Sequence, residues 1–213
     1  MSRDSIVETL LDRYGTTYAD ELGIDVRGQT PSALFRLLCA SLLYSARISS
    51  GIATEAMRGM TRAGWRTSRA LARSSWEERV RVLNHAGYAR YQERTATLLG
   101  NLAGAVEERY RGDLRRLRER AHRTPREERR CLQEFDGIGP TGVDIFFREV
   151  QVAWDEVRPF ADRRSLEAAK RLKLGSSAAE LQDLVGPRRL PLLVVALVRA
   201  RLDGADRELA KAD

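Results

Sequence analysis

Residues 132–148 read LQEFDGIGPTGVDIFFR, and this stretch decides the fold. Its pattern predicts a helix that ends near Phe135, a tight turn at Gly137-Ile138-Gly139 with Ile138 anchored in the core, and a new helix from Thr141. Backbone N–H groups in such a turn, with a helix N-terminus behind them, form a concave site for an anion such as a DNA phosphate. The alternative is an ordinary corner between two helices in which the glycines only cap helix ends.

The rest of the chain also reads as helices, because apolar residues recur at helical spacing and strand patterns are nearly absent. We therefore predict an all-α protein. Thr30-Pro31 is a good helix start, and residues 34–43 are apolar on nearly every face, which predicts a buried central helix. Further helices are expected near residues 6–14 (stopped by Gly15), 163–172 (ended by Gly175) and 191–202 (packed against the amino-terminal helix). Helical patterns also cover residues 51–60, 65–72, 76–84, 91–110, 114–121 and 126–135.

The composition is globular and strongly basic. Hydrophobic residues make up 43% of the 213-residue chain, and 37 basic against 30 acidic residues give a net charge of +7. All basic residues except Lys170, Lys173 and Lys211 are arginines. Arginine binds phosphate bidentately and stacks on bases, so nucleic acid is the first partner to consider, although a GC-rich genome also favours arginine codons. Residues 109–130 interleave arginines with acidic residues, as a solvated helical face or a phosphate-facing surface would.

Several functions are excluded by what the sequence lacks. Cys39 and Cys131 are the only cysteines, so a four-cysteine iron–sulfur or zinc site cannot form within the chain. His85 and His122 have no partners at metal-ligand spacing, and we expect no metal site. Residues 1–11 lack the apolar core of a signal peptide, and no apolar run approaches the roughly 20 residues that span a bilayer. We therefore expect a soluble, cytoplasmic protein with no membrane partner.

Four segments, in order along the chain, resemble the helix-hairpin-helix (HhH-GPD) DNA glycosylases, the superfamily that contains endonuclease III and 3-methyladenine DNA glycosylase. Hairpins in this family read like L-P-G-I/V-G-x-x-T/A. The resemblance covers roughly residues 31–174. Its segments are the helix end bordering the base pocket (residues 42–47), the turn before a long helix (87–91), the hairpin (135–143), and the element carrying the essential aspartate (158–164, with Asp162).

The resemblance implies a two-lobed helical fold, with a bundle over residues 32–157 that contains the hairpin and a second lobe from residues 1–31 and 158–213. Double-stranded DNA with a damaged base would cross between the lobes, with Asp162 at the base of the cleft. The implied function is that of a monofunctional DNA glycosylase in base-excision repair, a monomer, associated with the nucleoid if bacterial. Alkylated purines are the first substrate expected, and deaminated or mismatched bases the second. The alternatives are a non-catalytic helix-hairpin-helix DNA-binding protein and a lyase that uses an unexpected amine.

The resemblance also assigns residues. Asp162 would stabilise the oxocarbenium ion and orient water, whereas a purely structural Asp162 would cap the helix that begins at Arg163. Because Asn is also a good cap, Asp162→Asn should then cost little stability. The DNA backbone would lie against the hairpin residues Gly137, Ile138, Gly139 and Thr141. Bifunctional members carry a lysine where this chain has Thr141, which argues against strand cleavage through a Schiff base.

The flipped base needs a pocket, and the gap left in the duplex needs a filler. Tyr44, Tyr88 and Trp154 are candidates for stacking on the base, and each is alternatively a core residue. Arg47 is the candidate that fills the gap; the alternative is a phosphate contact or a solvent-exposed side chain. No iron–sulfur cluster or other cofactor is expected, apart from a monovalent cation that the resemblance suggests at the hairpin carbonyls.

Overall fold

The computed structural model describes residues 2–88 and 90–211. The prediction of an all-α protein is confirmed, because within these two ranges every regular element is helical. Contacts between residues divide the chain into two compact units, one of residues 22–146 and one of residues 1–21 with 147–213. The domain limits drawn from the sequence stay a prediction.

The first unit is built around one apolar helix. Thr30 caps this helix by accepting a hydrogen bond from the Ala33 N–H (3.1 Å), and Pro31 is its first residue. Leu34, Leu38 and Leu43 on its different faces are all 0% exposed, so the predicted central helix is confirmed. The helices of this unit are α3 (Pro31–Ser45), α4 (Ser50–Arg62), α5 (Ser68–Ala72), α6 (Trp76–His85), α7 (Gln92–Tyr110), α8 (Arg115–Arg120), α9 (Pro125–Gln133) and most of α10 (Pro140–Val150).

The second unit joins the two ends of the chain. Its core unites Ile6, Val7 and Leu10 with apolar residues near the carboxyl terminus, including Leu193 and Leu197, so the expected packing of the amino-terminal helix is confirmed. The helices are α1 (Arg3–Tyr14), α2 (Tyr18–Glu21), the end of α10, α11 (Arg163–Arg171), α12 (Ala178–Val185), α13 (Leu190–Asp203) and α14 (Ala205–Lys211), with a 3₁₀ turn at Asp155–Val157.

The end of α11 differs from the expectation that Gly175 would stop it. Lys173 takes the left-handed conformation (φ 55°), and the Leu174 N–H bonds the Ala169 carbonyl at 2.9 Å. These two features make a Schellman motif with lysine in the position that glycine usually fills. The helix therefore ends earlier than predicted, and Gly175 lies beyond the cap.

Candidate nucleic-acid interface

The turn between α9 and α10 has the hairpin geometry that the sequence predicted. Gly137 has φ +84°, and the Ile138 N–H bonds the Phe135 carbonyl at 3.0 Å to close the turn. Ile138 is only 3% exposed, so its side chain anchors the turn in the core. Phe135 fixes the other side of the turn by packing its ring 5.9 Å from that of Tyr110.

The two hairpin glycines serve different purposes. A Cβ added to Gly137 would lie 3.1 Å from Leu98 Cδ1 and 3.3 Å from Leu42 Cδ1, in addition to the strain of its positive φ. A Cβ added to Gly139 would meet nothing within 4 Å. Gly137 is therefore required by the turn itself, whereas Gly139 leaves open space in front of the α10 N-terminus.

That open space lies beside unused hydrogen-bond donors. Within the described residues, the backbone N–H groups of Gly139, Thr141 and Gly142 have no acceptor, and the first bond of the new helix runs from the Val143 N–H to the Gly139 carbonyl (3.1 Å). Unpaired N–H groups at a helix start favour an anion. These backbone groups are therefore the candidates for the predicted anion contact, which stays a prediction.

Two acidic residues flank this site, and each is held by a neighbour. The Asp136 carboxylate accepts a hydrogen bond from Asn101 Nδ2 at 3.1 Å. The Asp144 carboxylate pairs with Arg129 at 2.8 Å. These contacts reduce the repulsion that a phosphate at the hairpin would otherwise meet.

Three other predicted site residues belong to the same unit as the hairpin. Arg47 is exposed in the bend after α3 and makes no hydrogen bond or ion pair within the described chain. Tyr44 is half-buried, and its hydroxyl shares a 2.7 Å hydrogen bond with Thr54 Oγ1. Tyr88 is 3% exposed, and burial raises the pKa of its hydroxyl well above the usual value. The predicted roles of these three residues stay predictions.

Asp162 lies in the other unit, at the N-cap of α11. Its Oδ1 accepts hydrogen bonds from the backbone N–H groups of Arg164 (2.8 Å) and Ser165 (3.1 Å). Its Oδ2 accepts from Arg148 Nε at 2.7 Å, with a second guanidinium nitrogen at 2.6 Å. The side chains of Asp162 and Arg148 are 3% and 4% exposed. The capping role that the sequence left open is therefore present, and it is combined with a buried ion pair.

Gln151 holds the segment that leads to Asp162. Its side-chain amide donates to the carbonyls of Arg148 (3.0 Å) and Phe160 (3.1 Å) and accepts from the Phe160 N–H (3.1 Å). Sequence reasoning missed Gln151 and the pairing of Arg148, since neither follows a periodicity. Trp154, in the same unit, is 0% exposed, which matches the core alternative.

Metal and membrane features are also defined for the described chain. Residues 2–88 and 90–211 hold no group of three or more His, Cys, Asp or Glu side chains placed to bind a metal ion. In the same ranges no helix has both the length and the apolar character needed to cross a lipid bilayer.

Comparison with known proteins bears on the fold. The described residues form an all-helical fold, with a glycine hairpin leading into α10. It is similar to endonuclease III, in a structure described as a trapped endonuclease III–DNA covalent intermediate with estranged adenine: the TM-score is 0.53, the identity is 16%, and the match covers 94% of this chain and 86% of that chain. No protein-family model matches the sequence, and no curated protein matches it. At this identity the likeness shows the fold alone.

Proposed function

We propose that the chain is a DNA glycosylase that binds duplex DNA at its hairpin and releases a damaged base without cutting the strand. The observation that carries this proposal is the hairpin, where the N–H groups of Gly139, Thr141 and Gly142 have no acceptor among the described residues and a Cβ at Gly139 would meet nothing within 4 Å. Contacts of this kind hold a phosphate and read no sequence, as a repair enzyme that scans DNA requires. The likeness of fold to a structure that contains endonuclease III and DNA supports the same reading.

The proposed chemistry is hydrolysis at C1′ of the deoxyribose. A water oxygen forms the new bond to C1′ while the C1′–N bond breaks and the base leaves with the electron pair. The Asp162 carboxylate stabilises the positive charge that develops on the sugar and takes the proton from water. An alkylated purine is cationic and leaves as a neutral base, so we propose it as the first substrate, with deaminated or mismatched bases second.

The remaining predicted residues have places in this scheme. Tyr44 and Tyr88 would stack on the flipped base, and Arg47 would occupy the gap in the duplex. A monovalent cation at the hairpin carbonyls is part of the proposal, since carbonyl oxygens suit hard cations. We further propose that the protein acts as a monomer in the cytoplasm, close to the nucleoid.

Strand cleavage through a Schiff base is not part of the proposed reaction. Such cleavage requires an amine nucleophile, and Thr141 stands where the bifunctional members of the family carry lysine. The product expected is therefore an abasic site in an intact strand.

A second function is favoured by the state of Asp162. A carboxylate offers about four lone-pair positions, and here two are taken by backbone N–H groups and two by Arg148. Base release requires Arg148 to give up at least one of these contacts. A protein in which Arg148 never does so would be a non-catalytic DNA-binding protein with the same fold.

A panel of duplexes, each with one lesion, separates these functions. Base release is measured directly, and strand breaks are measured before and after alkali. Release with breaks only after alkali supports the proposed glycosylase, whereas tight binding without release supports the non-catalytic protein. A covalent adduct trapped by borohydride would contradict both and point to a lyase. An undamaged duplex of the same sequence is the control.

A further inference from the structure

The arginine-rich residues 109–130 form a second charged surface that the proposed base release does not use. This stretch contains ten arginines and four acidic residues. Sequence alone left open whether it is a solvated face of balanced charge. The structure shows which of these arginines form ion pairs with acidic residues and which do not.

Most of the acidic groups are already taken. Asp113 is bound by Arg115 through contacts of 2.7–3.0 Å, and Glu127 is bound by Arg130 at 2.8 Å. Glu128 is 0% exposed, so its carboxyl group lies inside the protein and not on this surface. Glu119 differs from these three residues, because its side chain is exposed and forms no ion pair among the described residues.

Half of the arginines, by contrast, have no partner. These five arginines are all exposed, and none of their side chains makes a hydrogen bond or an ion pair within the described chain. They are Arg111, Arg116, Arg120, Arg123 and Arg126. Arg116 and Arg120 line an open groove of about 610 Å³ together with Arg115, Asp113 and Glu119. The surface therefore carries a strong surplus of positive charge, which we call the arginine surface.

The backbone that presents this surface is held in place. Between α8 and α9 the His122 N–H bonds the Glu119 carbonyl (2.9 Å), and the Arg123 N–H bonds the Arg118 carbonyl (3.0 Å). His122 and Arg123 both have left-handed φ values, of 52° and 51°. A fixed turn presents its guanidinium group at a lower entropic cost on binding than a flexible loop would.

The side chains around these arginines indicate which kind of partner the surface binds. The exposed large apolar residues of the described chain are Trp76, Tyr91 and Leu202, and none lies in residues 109–130. A surface without aromatic side chains lacks the platforms on which the bases of a single strand usually stack, and one without an apolar centre is unlike a protein–protein interface. Guanidinium groups bind phosphate bidentately.

We propose that the arginine surface binds the phosphate backbone of double-stranded DNA, at phosphates other than the one held by the hairpin. Seven residues of α9, 127–133, separate Arg126 from the hairpin turn, a length of roughly 10 Å at 1.5 Å per residue. The two surfaces therefore contact different phosphates. This proposal does not depend on base release and would hold for the non-catalytic protein as well.

The test is the salt dependence of binding to an undamaged duplex. The variant Arg116→Gln/Arg120→Gln/Arg123→Gln removes three charges that make no side-chain hydrogen bond or ion pair among the described residues. Each phosphate contact contributes about 0.9 to the slope of log K against log salt concentration, so the slope should fall by about 2 to 3. At 0.1 M salt the affinity should fall on the order of 100-fold.

A matched control removes the same charge elsewhere. Arg13, Arg188 and Arg207 are exposed, have no partner in the described chain, and lie in the other unit. The triple Gln variant at these positions should change the slope by less than about 0.5. Equal slopes for both triple variants would overturn the proposal, because the effect would then be one of net charge.

Two further readouts distinguish the remaining outcomes. A single-stranded oligonucleotide of the same length should lose much less affinity than the duplex, and an equal loss would overturn the assignment to duplex DNA. Both triple variants should melt at the temperature of the unmodified protein. When damaged duplex is saturating, the arginine-surface variant should release base at the rate of the unmodified protein. If the unmodified protein releases no base at all, the proposed glycosylase function fails, while the salt dependence still tests the arginine surface.

Discussion

Arg148 Nε lies 2.7 Å from Asp162 Oδ2, and both side chains are almost completely buried. The pair joins α10 to the N-cap of α11, and it places a permanent positive charge against the carboxylate proposed to act on the sugar. This contact sets the expectation for every change at either residue.

Asp162→Asn should reduce both activity and stability. Removing the charge should lower single-turnover base release on the order of 100-fold or more. Because Arg148 would be left buried without its partner, the free energy of unfolding should fall by about 3–5 kcal/mol. The sequence predicted only a small loss of stability, since it gave no sign of this contact.

The double variant Arg148→Met/Asp162→Asn separates the two effects. Without the buried cation, urea unfolding should show most of the stability restored, whereas base release should stay lost. If Asp162→Asn releases base at the normal rate, Asp162 is only a helix cap and a different group performs the chemistry.

The two hairpin glycines should respond differently to substitution. Gly137→Ala should lower stability by about 1–2 kcal/mol, because an L-residue is strained at φ +84°. Gly139→Ala should leave the melting temperature nearly unchanged, since its Cβ meets nothing within 4 Å. Thermal unfolding of the two variants checks this.

A larger side chain at Gly139 should block the anion site. Gly139→Leu should weaken binding to damaged and undamaged duplexes by the same factor, because backbone N–H contacts to phosphate carry no information about the base. Titration of both duplexes measures this factor. A loss restricted to the damaged duplex would show that the hairpin takes part in recognising the lesion.

Glu149 should make the stability depend on pH. It is 2% exposed and accepts hydrogen bonds from the Tyr18 N–H (3.3 Å) and the Ala19 N–H (3.1 Å). Burial raises its pKa, while those N–H groups and Arg148 oppose the rise and Asp20 adds to it. The folded state therefore keeps this proton at pH values where the unfolded chain has lost it.

The sign of the effect follows from proton linkage. Below the pKa of the unfolded chain the group is protonated in both states and its contribution to stability is complete. That contribution is lost as the pH rises through the raised pKa of the folded protein. Compared with Glu149→Gln, the unmodified protein should lose stability from about pH 4.3 upward, as urea unfolding across pH 4–8 would show. Parallel pH curves for the two proteins would contradict the assignment.

Tyr44 offers a test of base stacking. Tyr44→Phe removes the hydroxyl that bonds Thr54 Oγ1 at 2.7 Å and should cost about 1 kcal/mol of stability while keeping the ring. Tyr44→Ala also removes the ring. Compared with Tyr44→Phe, it should weaken binding to a damaged duplex by about 1–3 kcal/mol, the contribution of one stacked base. Equal affinities for the Phe and Ala variants would place Tyr44 outside the base pocket.

The features that sequence predicted are those set by local rules. Thr30-Pro31 starts α3, and Gly137 with Ile138 makes the turn, because capping and positive φ depend on neighbouring residues. The helices α2, α12 and α14 were not predicted. Of these, α2 has only four residues, too few for a helical period to register.

The contacts that sequence did not predict are those that cross from one element to another. Arg148 and Asp162 are 14 residues apart, and their pairing depends on how the chain between them folds back. Gln151 stabilises that return through three hydrogen bonds, yet glutamine at the end of an apolar helix has no distinctive pattern. Which arginines remain free in residues 109–130 likewise depends on where the acidic partners lie.

The open space at Gly139 also makes the protein suitable for site-specific chemical labelling. Both native cysteines, Cys39 and Cys131, are buried, and burial raises the pKa of the Cys39 thiol far above its usual value. Gly139→Cys would therefore supply an accessible thiol on an otherwise unreactive chain. A maleimide label attached there would fill the space at the hairpin, so the labelled protein should bind duplex DNA more weakly than the unlabelled protein, without removal of a single native residue from the core.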